Sequence, residues 1–236
     1  MLSLFFVDDL PTTVGAKYEF SNEDAQHAIR VLRMQPGAEF ILCDGNGRWA
    51  QVRAIDFSKK SIQVQVLETG FEEPLSIKIT VVQALPKGDR AKEAIELLTQ
   101  AGVDQIIPWS AKRSIGKGTD KFAITAREAS KQSRRFRVPQ IAQLATTEQV
   151  CQAITSSDLA VVFHESASKK LSDQIGSHEP TNLLIIIGPE GGLTDDELAA
   201  FEAAGAVVAL MGRPVFRSAH AGIAAVSALS ALLKVW

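Results

Sequence analysis

The sequence predicts an α/β protein in two parts, a small β-barrel followed by a larger and mostly parallel α/β sheet. Three observations lead there. The first seventy residues read as short strand-like runs broken by turn residues. From Ile77 onward, apolar runs alternate with helical segments, the pattern of strand and crossover helix. Between them, Glu72-Glu73-Pro74 interrupts the apolar pattern with charge and proline, which sets domains at 1–72 and 73–236.

In the first part, Phe40 to Cys43 and Trp49 to Ile55 flank the turn Asp44-Gly45-Asn46-Gly47. Ile62, Val64 and Val66 then alternate with polar residues. Short strands joined by such turns close most naturally into a small barrel. In the second part, strands are predicted at Ile77–Leu85, Val103–Ile107, Leu159–Phe163, Leu183–Ile187 and Val207–Leu210. The helix after Asp89 places Ala91, Ala94, Ile95 and Leu98 at helical spacing.

The last quarter carries the most specific features. Leu183 to Ile187 is an unbroken apolar run, as expected of a strand buried on both faces, and it empties into Gly188-Pro189-Glu190-Gly191-Gly192. Pro189 removes a backbone donor, and the paired glycines permit positive φ or close backbone approach, so the chain leaves the sheet in a tight turn. Thr194 and Glu197 form a capping box for a helix that runs to about Gly205. A further strand ends in the loop Met211-Gly212-Arg213-Pro214-Val215-Phe216-Arg217, and Ser218 is read as the N-cap of a final helix. That helix, Ala219 to about Leu233, has no charge before Lys234. It therefore offers no polar face to water and is expected to be buried, against a second subunit if not within the chain.

Composition, at 46% hydrophobic and 22% charged residues, is that of a globular domain, and it excludes a disordered or fibrous chain. No apolar segment approaches the roughly 18 to 20 residues needed to cross a bilayer. Met1 to Asp9 has an early acidic pair and no basic signal-peptide region, so the expected location is cytoplasmic. Cys43 and Cys151, with His27, His164, His178 and His220, show no metal-ligand spacing, and neither a metal nor a disulfide is expected. Charge is segregated. Lys112 to Arg137 carries nine basic and two acidic residues, a net +7, whereas the whole chain is −2 and the remainder therefore −9. Such a cluster is either a solvated helix face or a contact for a polyanion.

Together, strand-GPEGG-helix and strand-glycine-two arginines-helix resemble the catalytic half of the RsmE-type 16S ribosomal RNA uridine-N3 methyltransferases of the SPOUT superfamily. Upstream, His27, Val31-Leu32-Arg33, Pro36-Gly37 and Asp44 to Gly47 resemble that family's amino-terminal module. Pro86-Lys87-Gly88-Asp89-Arg90, Ala101-Gly102-Val103, Pro108, Gln132-Ser133-Arg134-Arg135 and Val138-Pro139 resemble its middle segment, in the same order. The likeness covers essentially the whole chain. Three positions depart from it: Gln100-Ala101-Gly102 stands for ELG, Arg213-Pro214 inverts a Pro-Arg order, and Arg217-Ser218-Ala219-His220-Ala221 stands for RTETA. Ala219 cannot do what a glutamate there would do.

The resemblance implies a carboxyl-terminal α/β domain tied in a deep trefoil knot, a PUA-like RNA-binding barrel, a homodimer, and 16S rRNA within the 30S subunit or a late precursor as partner. S-adenosylmethionine would be held by three loops: Phe163, His164 and Glu165; Gly188, Pro189, Glu190, Gly191 and Gly192; and Leu210, Met211, Gly212, Val215, Phe216, Arg217 and Ser218. Glycines and short apolar residues suit recognition by main-chain donors and acceptors. Methylation at N3 leaves negative charge on the flanking carbonyl oxygens once the imino proton is gone, and a nearby arginine stabilises it. Arg217 is the first choice for that role and Arg213 the second. Arg30, Arg33, Arg48, Lys112, Arg113, Lys117, Arg134, Arg135 and Arg137 are the expected RNA contacts, while Trp49 is expected to pack in the core. Two other classes are weighed: a non-catalytic RNA-binding assembly factor, and a nucleotide-binding α/β enzyme. The second lacks both G-x-G-x-x-G after a strand and a Walker lysine.

Overall fold

The structure is a computed structural model that describes residues 2–175 and 179–236, so His178 lies outside the described residues. It divides into two compact units, Met1–Pro74 with Ser130–Val138, and Leu75–Ala129 with Pro139–Trp236. The first break lies two residues from the one set by Glu72-Glu73-Pro74. The return of Ser130–Val138 to the first unit is something that a single cut in the chain does not provide.

In the first unit, β1 (Ser3–Phe6), β2 (Lys17–Phe20), β3 (Glu39–Cys43), β4 (Arg48–Phe57) and β5 (Ile62–Phe71) form one sheet in the order β1-β3-β4-β5-β2. β1 runs parallel to β3 and the other pairs are antiparallel, giving a mixed half-barrel. Phe5, Phe20 and Phe40 pack with ring centroids 5.5–5.7 Å apart. Helix α1 (Glu23–Arg30) places Ala25 and Ala28 in the same core. Asn22 holds the start of α1: its Oδ1 accepts from Ala25 N at 3.1 Å, and its Nδ2 donates to Phe6 O at 2.8 Å. Gly45 (φ +77°) and Gly47 (φ +104°) turn the β3–β4 hairpin, whose Asp44 Oδ1 accepts from Asn46 N and Arg48 N. The returning segment fits against this hairpin. Val138 N donates to Gly45 O at 2.9 Å, and Phe136 stacks on Trp49 with centroids 5.8 Å apart.

The second unit has a parallel six-stranded sheet, order β11-β9-β10-β6-β7-β8. Its strands are β6 (Lys78–Ala84), β7 (Gln105–Trp109), β8 (Gln140–Ile141), β9 (Leu159–Phe163), β10 (Asn182–Ile187) and β11 (Val207–Ala209). The helices are α2 (Arg90–Gln100), α3 (Phe122–Ser133, whose last four residues belong to the first unit), α4 (Thr147–Thr155), α5 (Leu171–Ile175), α6 (Asp195–Ala203) and α7 (Ser218–Leu232). Residues 183–187 of β10 are all buried, as a central strand flanked by β9 and β6 requires. Asp158 begins β9 by accepting from Thr181 N, Thr181 Oγ1 and Asn182 N, and these hydrogen bonds lower its pKa below the usual carboxylate value.

β11 pairs with β9 at one edge, whereas α7 packs on β10, β6 and α2. Residues 210–217 therefore carry the chain back across the carboxyl ends of β9 and β10. Gly222 permits the close approach of α7 to α2, since a Cβ there would lie 2.7 Å from Leu98 Cδ2. Ala94, Ile95 and Leu98 of α2 are buried as their spacing predicts, and Ala91 is half-buried.

One local expectation is overturned. Ser218 is not the N-cap of the last helix: Arg217 holds that position with extended backbone (φ −63°, ψ 143°), and Ser218 is already the first helical residue. Its hydroxyl is drawn inward by partners that sequence spacing does not reveal.

Candidate functional site

A cavity of about 590 Å³ opens at the carboxyl end of the sheet in the second unit. Parallel α/β sheets characteristically place ligands there, because the strand-to-helix loops converge at that end. Every residue of the three expected cofactor loops lines it: Phe163 to Glu165 after β9, Gly188 to Gly192 after β10, and the loop from Leu210 through Arg217 to Ser218. Arg90, Arg113, Ile187, Leu193, Pro214 and Ala221 complete the wall.

The loop after β10 is closely braced. Gly192 N donates to Pro189 O at 3.0 Å, and Gly192 has φ +73°, a value that L side chains rarely adopt. The guanidinium of Arg113 donates from Nη1 to Gly191 O at 3.1 Å and to Leu193 O at 3.2 Å. Glu190 Oε1 accepts from Lys87 N at 3.2 Å and lies 4.0 Å from Arg90 Nη1. Behind the turn, buried Glu197 joins two segments. Its Oε2 accepts from Thr194 N and Oγ1, completing the predicted capping box, while its Oε1 accepts from Lys112 N at 2.7 Å.

His164 is tied locally, with Nδ1 2.7 Å from Ser166 Oγ and accepting from Ser166 N at 3.3 Å. The loop after β11 is anchored at its start, where Leu210 N donates to Lys169 O at 3.1 Å. Among the described residues, 211–216 make no hydrogen bond, and Val215 and Phe216 are exposed. Arg213 and Arg217 both line the cavity and are exposed. Ala219, the position that departs from the family pattern, is buried and does not line the cavity. Its neighbour His220 instead pairs with Glu93 of α2, Nε2 to Oε1 at 2.9 Å.

The cavity can hold S-adenosylmethionine. Its volume falls within the roughly 300–1,000 Å³ usual for sites of this kind. Buried Ile187 and Leu193, with Leu210, give it an apolar lining, and Gly188, Gly191, Gly192 and Gly212 bring backbone to its wall. A side chain on Gly188 would crowd Leu193, whose Cγ would lie 3.2 Å from the added Cβ.

The basic candidates are divided between the two units. Arg30 ends α1, Arg33 has φ +50°, and Arg48 begins β4; all three are exposed in the first unit, with Arg134. Arg135 is half-buried in the same unit. Arg137 donates to Glu72 O and covers the Phe71 ring at 5.0 Å, and Lys131 forms a largely buried pair with Asp24 at 2.8 Å. In the second unit, Lys117 is exposed, Lys112 Nζ lies 3.6 Å from Asp196 Oδ2, and Arg113 braces the cavity. Trp49 is half-buried against Phe136, as packing rather than open stacking requires. Cys43 is buried and Cys151 partly so. Among the described residues, no cluster of three metal-ligating side chains occurs and no helix is long and apolar enough to cross a membrane.

Sequence reasoning missed the bracing role of Arg113, the contribution of Arg90, and Gln83 beneath the cavity. Only Arg90 carried a signal, since it ends the Pro86–Arg90 run that resembles the family.

Comparison with known proteins agrees with this geometry. Residues 72–230 match a family described as an RNA methyltransferase domain, and residues 20–67 match an RNA methyltransferase PUA domain. The chain is 35% identical to the ribosomal RNA small subunit methyltransferase E of Mycobacterium bovis, covering 99% of this chain and 93% of that protein. It is 31% identical to the Bacillus subtilis protein of the same name, over 95% and 91%. A putative methyltransferase from Legionella pneumophila, solved in complex with S-adenosylmethionine, superposes with a TM-score of 0.87 at 25% identity, covering 98% of both chains. From its full-length likeness to these relatives, its two matched domains and the convergence of its glycine-rich loops on one cavity, the chain belongs to the ribosomal RNA small subunit methyltransferase E family.

Proposed function

We propose that this protein methylates N3 of a specific uridine in 16S ribosomal RNA, acting in the cytoplasm as a homodimer on the 30S subunit or a late precursor. The observation that carries the reading is the cavity on which three loops converge, lined by glycine backbone and by two exposed arginines. S-adenosylmethionine, when bound, would supply its sulfonium methyl group to N3, the S–CH3 bond breaking to release S-adenosylhomocysteine. Main-chain groups of residues 163–165, 188–192 and 210–218 hold it, and the apolar lining at Ile187, Leu193 and Leu210 excludes water from one side.

Loss of the N3 proton spreads negative charge onto the two flanking uracil oxygens, and Arg217 stabilises it, with Arg213 as the second cation. Orientation is the other contribution. Holding reactants in line is worth roughly 7 to 11 kcal/mol in favourable systems, and the braced turn at residues 188–193 provides a fixed reference for it. Because N3 lies on a Watson–Crick edge, the target nucleotide is unpaired or flipped out. Arg30, Arg33, Arg48, Lys117 and Arg134, all exposed, are the phosphate contacts, and Lys112 and Arg135 add to them.

The test is to incubate the protein with radiolabelled S-adenosylmethionine and 30S particles lacking N3-methyluridine, then to identify the labelled nucleoside. Label in N3-methyluridine supports the reading. Label in another base, or none, overturns it.

A further inference from the structure

Gln83, near the end of β6, is almost wholly buried at 1% exposure, and half of its amide has no partner. Its Nε2 donates to Ala84 O at 3.0 Å and to Ser218 Oγ at 3.1 Å, while its Oε1 is buried without a hydrogen bond. The assignment of the two atoms is fixed by chemistry, because Ala84 O can only accept. The Ser218 hydroxyl, itself buried, donates onward to Gly188 O at 2.8 Å. One chain of hydrogen bonds thus runs from the strand beneath the cavity, through the first residue of α7, to the first residue of the glycine turn.

As a stabilising device this arrangement is poor. A buried acceptor left unpaired is destabilising, and an apolar side chain of similar length would remove that defect. What the amide does provide is direction. Ser218 has one hydroxyl proton and accepts through its lone pairs, so a donor from Gln83 leaves that proton aimed at Gly188. Arg217 immediately precedes Ser218, and among the described residues the six positions before it have no hydrogen bonds of their own.

We infer that Gln83 is a positioning residue: through Ser218 it ties the 188–193 turn to the carboxyl end of the 210–217 loop, and so sets where Arg217 stands relative to the turn. The tie exists without any ligand. Its effect on the methyl donor rests on the function proposed above.

The experiment uses the full chain and the variants Gln83→Met, Ser218→Ala and Ser218→Thr, with the double Gln83→Met/Ser218→Ala. In ligand-free protein, hydrogen–deuterium exchange in peptides covering 188–193 and the first turn of α7, 218–222, should rise about tenfold in both segments for Gln83→Met and Ser218→Ala, as expected when the tie between them is lost. Ser218→Thr should restore wild-type exchange. The double variant should be no worse than Ser218→Ala, since one chain can be broken only once. The melting temperature of Gln83→Met should fall little, because removing the orphan acceptor offsets the loss of the amide's bonds to Ala84 O and Ser218 Oγ. Binding of S-adenosylmethionine, measured calorimetrically, should weaken about tenfold in both single variants. Unchanged exchange, a change in only one of the two segments, or additive effects in the double variant would each overturn the inference. If Gln83→Met does not fold, the serine pair alone decides: equal exchange in Ser218→Ala and Ser218→Thr overturns it. Wild-type protein that fails to bind S-adenosylmethionine, yet shows coupled exchange, would sink the methyl-donor reading and leave the tie standing.

Discussion

The two loops that face each other across the cavity are built in opposite ways. The turn after β10 is held by side chains from several directions: Arg113 on Gly191 and Leu193, Glu190 on Lys87, Ser218 on Gly188. The loop after β11 is fixed at Leu210 and again at Ser218, and between them it exposes Val215 and Phe216 and carries both arginines. One wall is set before any ligand arrives, whereas the other offers charge and apolar surface not yet committed within the chain. A methyl transferase with a large RNA substrate benefits from that division. The small donor needs a fixed seat, and the arginines must meet a base delivered from outside.

The largest test of the contrast is Arg217→Ala. Removing a group that stabilises charge only in the transition state should lower the methyl-transfer rate about 10²- to 10³-fold. Binding of S-adenosylmethionine should change only a few-fold, read by single-turnover label transfer beside calorimetry. If Arg213→Ala proves the more damaging variant, the two arginines exchange roles. Gly192→Val strikes the fixed wall instead. Forcing a side chain into left-handed backbone at φ +73° should destabilise the protein by about 1–2 kcal/mol and weaken donor binding roughly tenfold. Denaturant melts and titration calorimetry check both.

Arg113→Ala should act on the same wall more gently. Two hydrogen bonds of about 0.5–1.5 kcal/mol each are lost at a partly solvated site, so donor affinity should fall roughly three- to tenfold with little change in RNA affinity. A fall in RNA binding with intact donor binding would return Arg113 to the phosphate-contact role suggested by its charge. Val215→Ala, at 75% exposure, should leave stability within about 0.5 kcal/mol of wild type. A larger loss would mean that the second loop is as firmly packed as the first, and the contrast would fail.

Much of this was legible in the sequence because it is local. The apolar run Leu183–Ile187, the Thr194–Glu197 box and the stop at Gly205 depend on neighbours a few residues away, and the structure has each of them. The three loops of the cavity were legible through family likeness. What escaped depends on contacts distant in sequence. The pairing of β1 with β3 is parallel and has no hairpin turn to announce it. The Ser218 hydroxyl was assigned to its own helix because spacing cannot show Gln83, 135 positions away. Arg113 was read as a phosphate contact because charge can be counted from sequence but its partner carbonyls, about 80 residues on, cannot.

The return of Ser130–Val138 to the first unit also sets an order of events during synthesis. Phe136 and Val138 pack against Leu4, Phe6 and Cys43, so the first unit lacks part of its interior until the segments that form β6, α2, β7 and α3 have been translated. The amino-terminal half-barrel is thus not a module that folds to completion as it leaves the ribosome. A fragment ending at Pro74 would emerge with Trp49 uncovered and Arg137 missing from the carbonyl of Glu72. Anyone producing the first unit alone would have to supply those nine residues as a grafted strap.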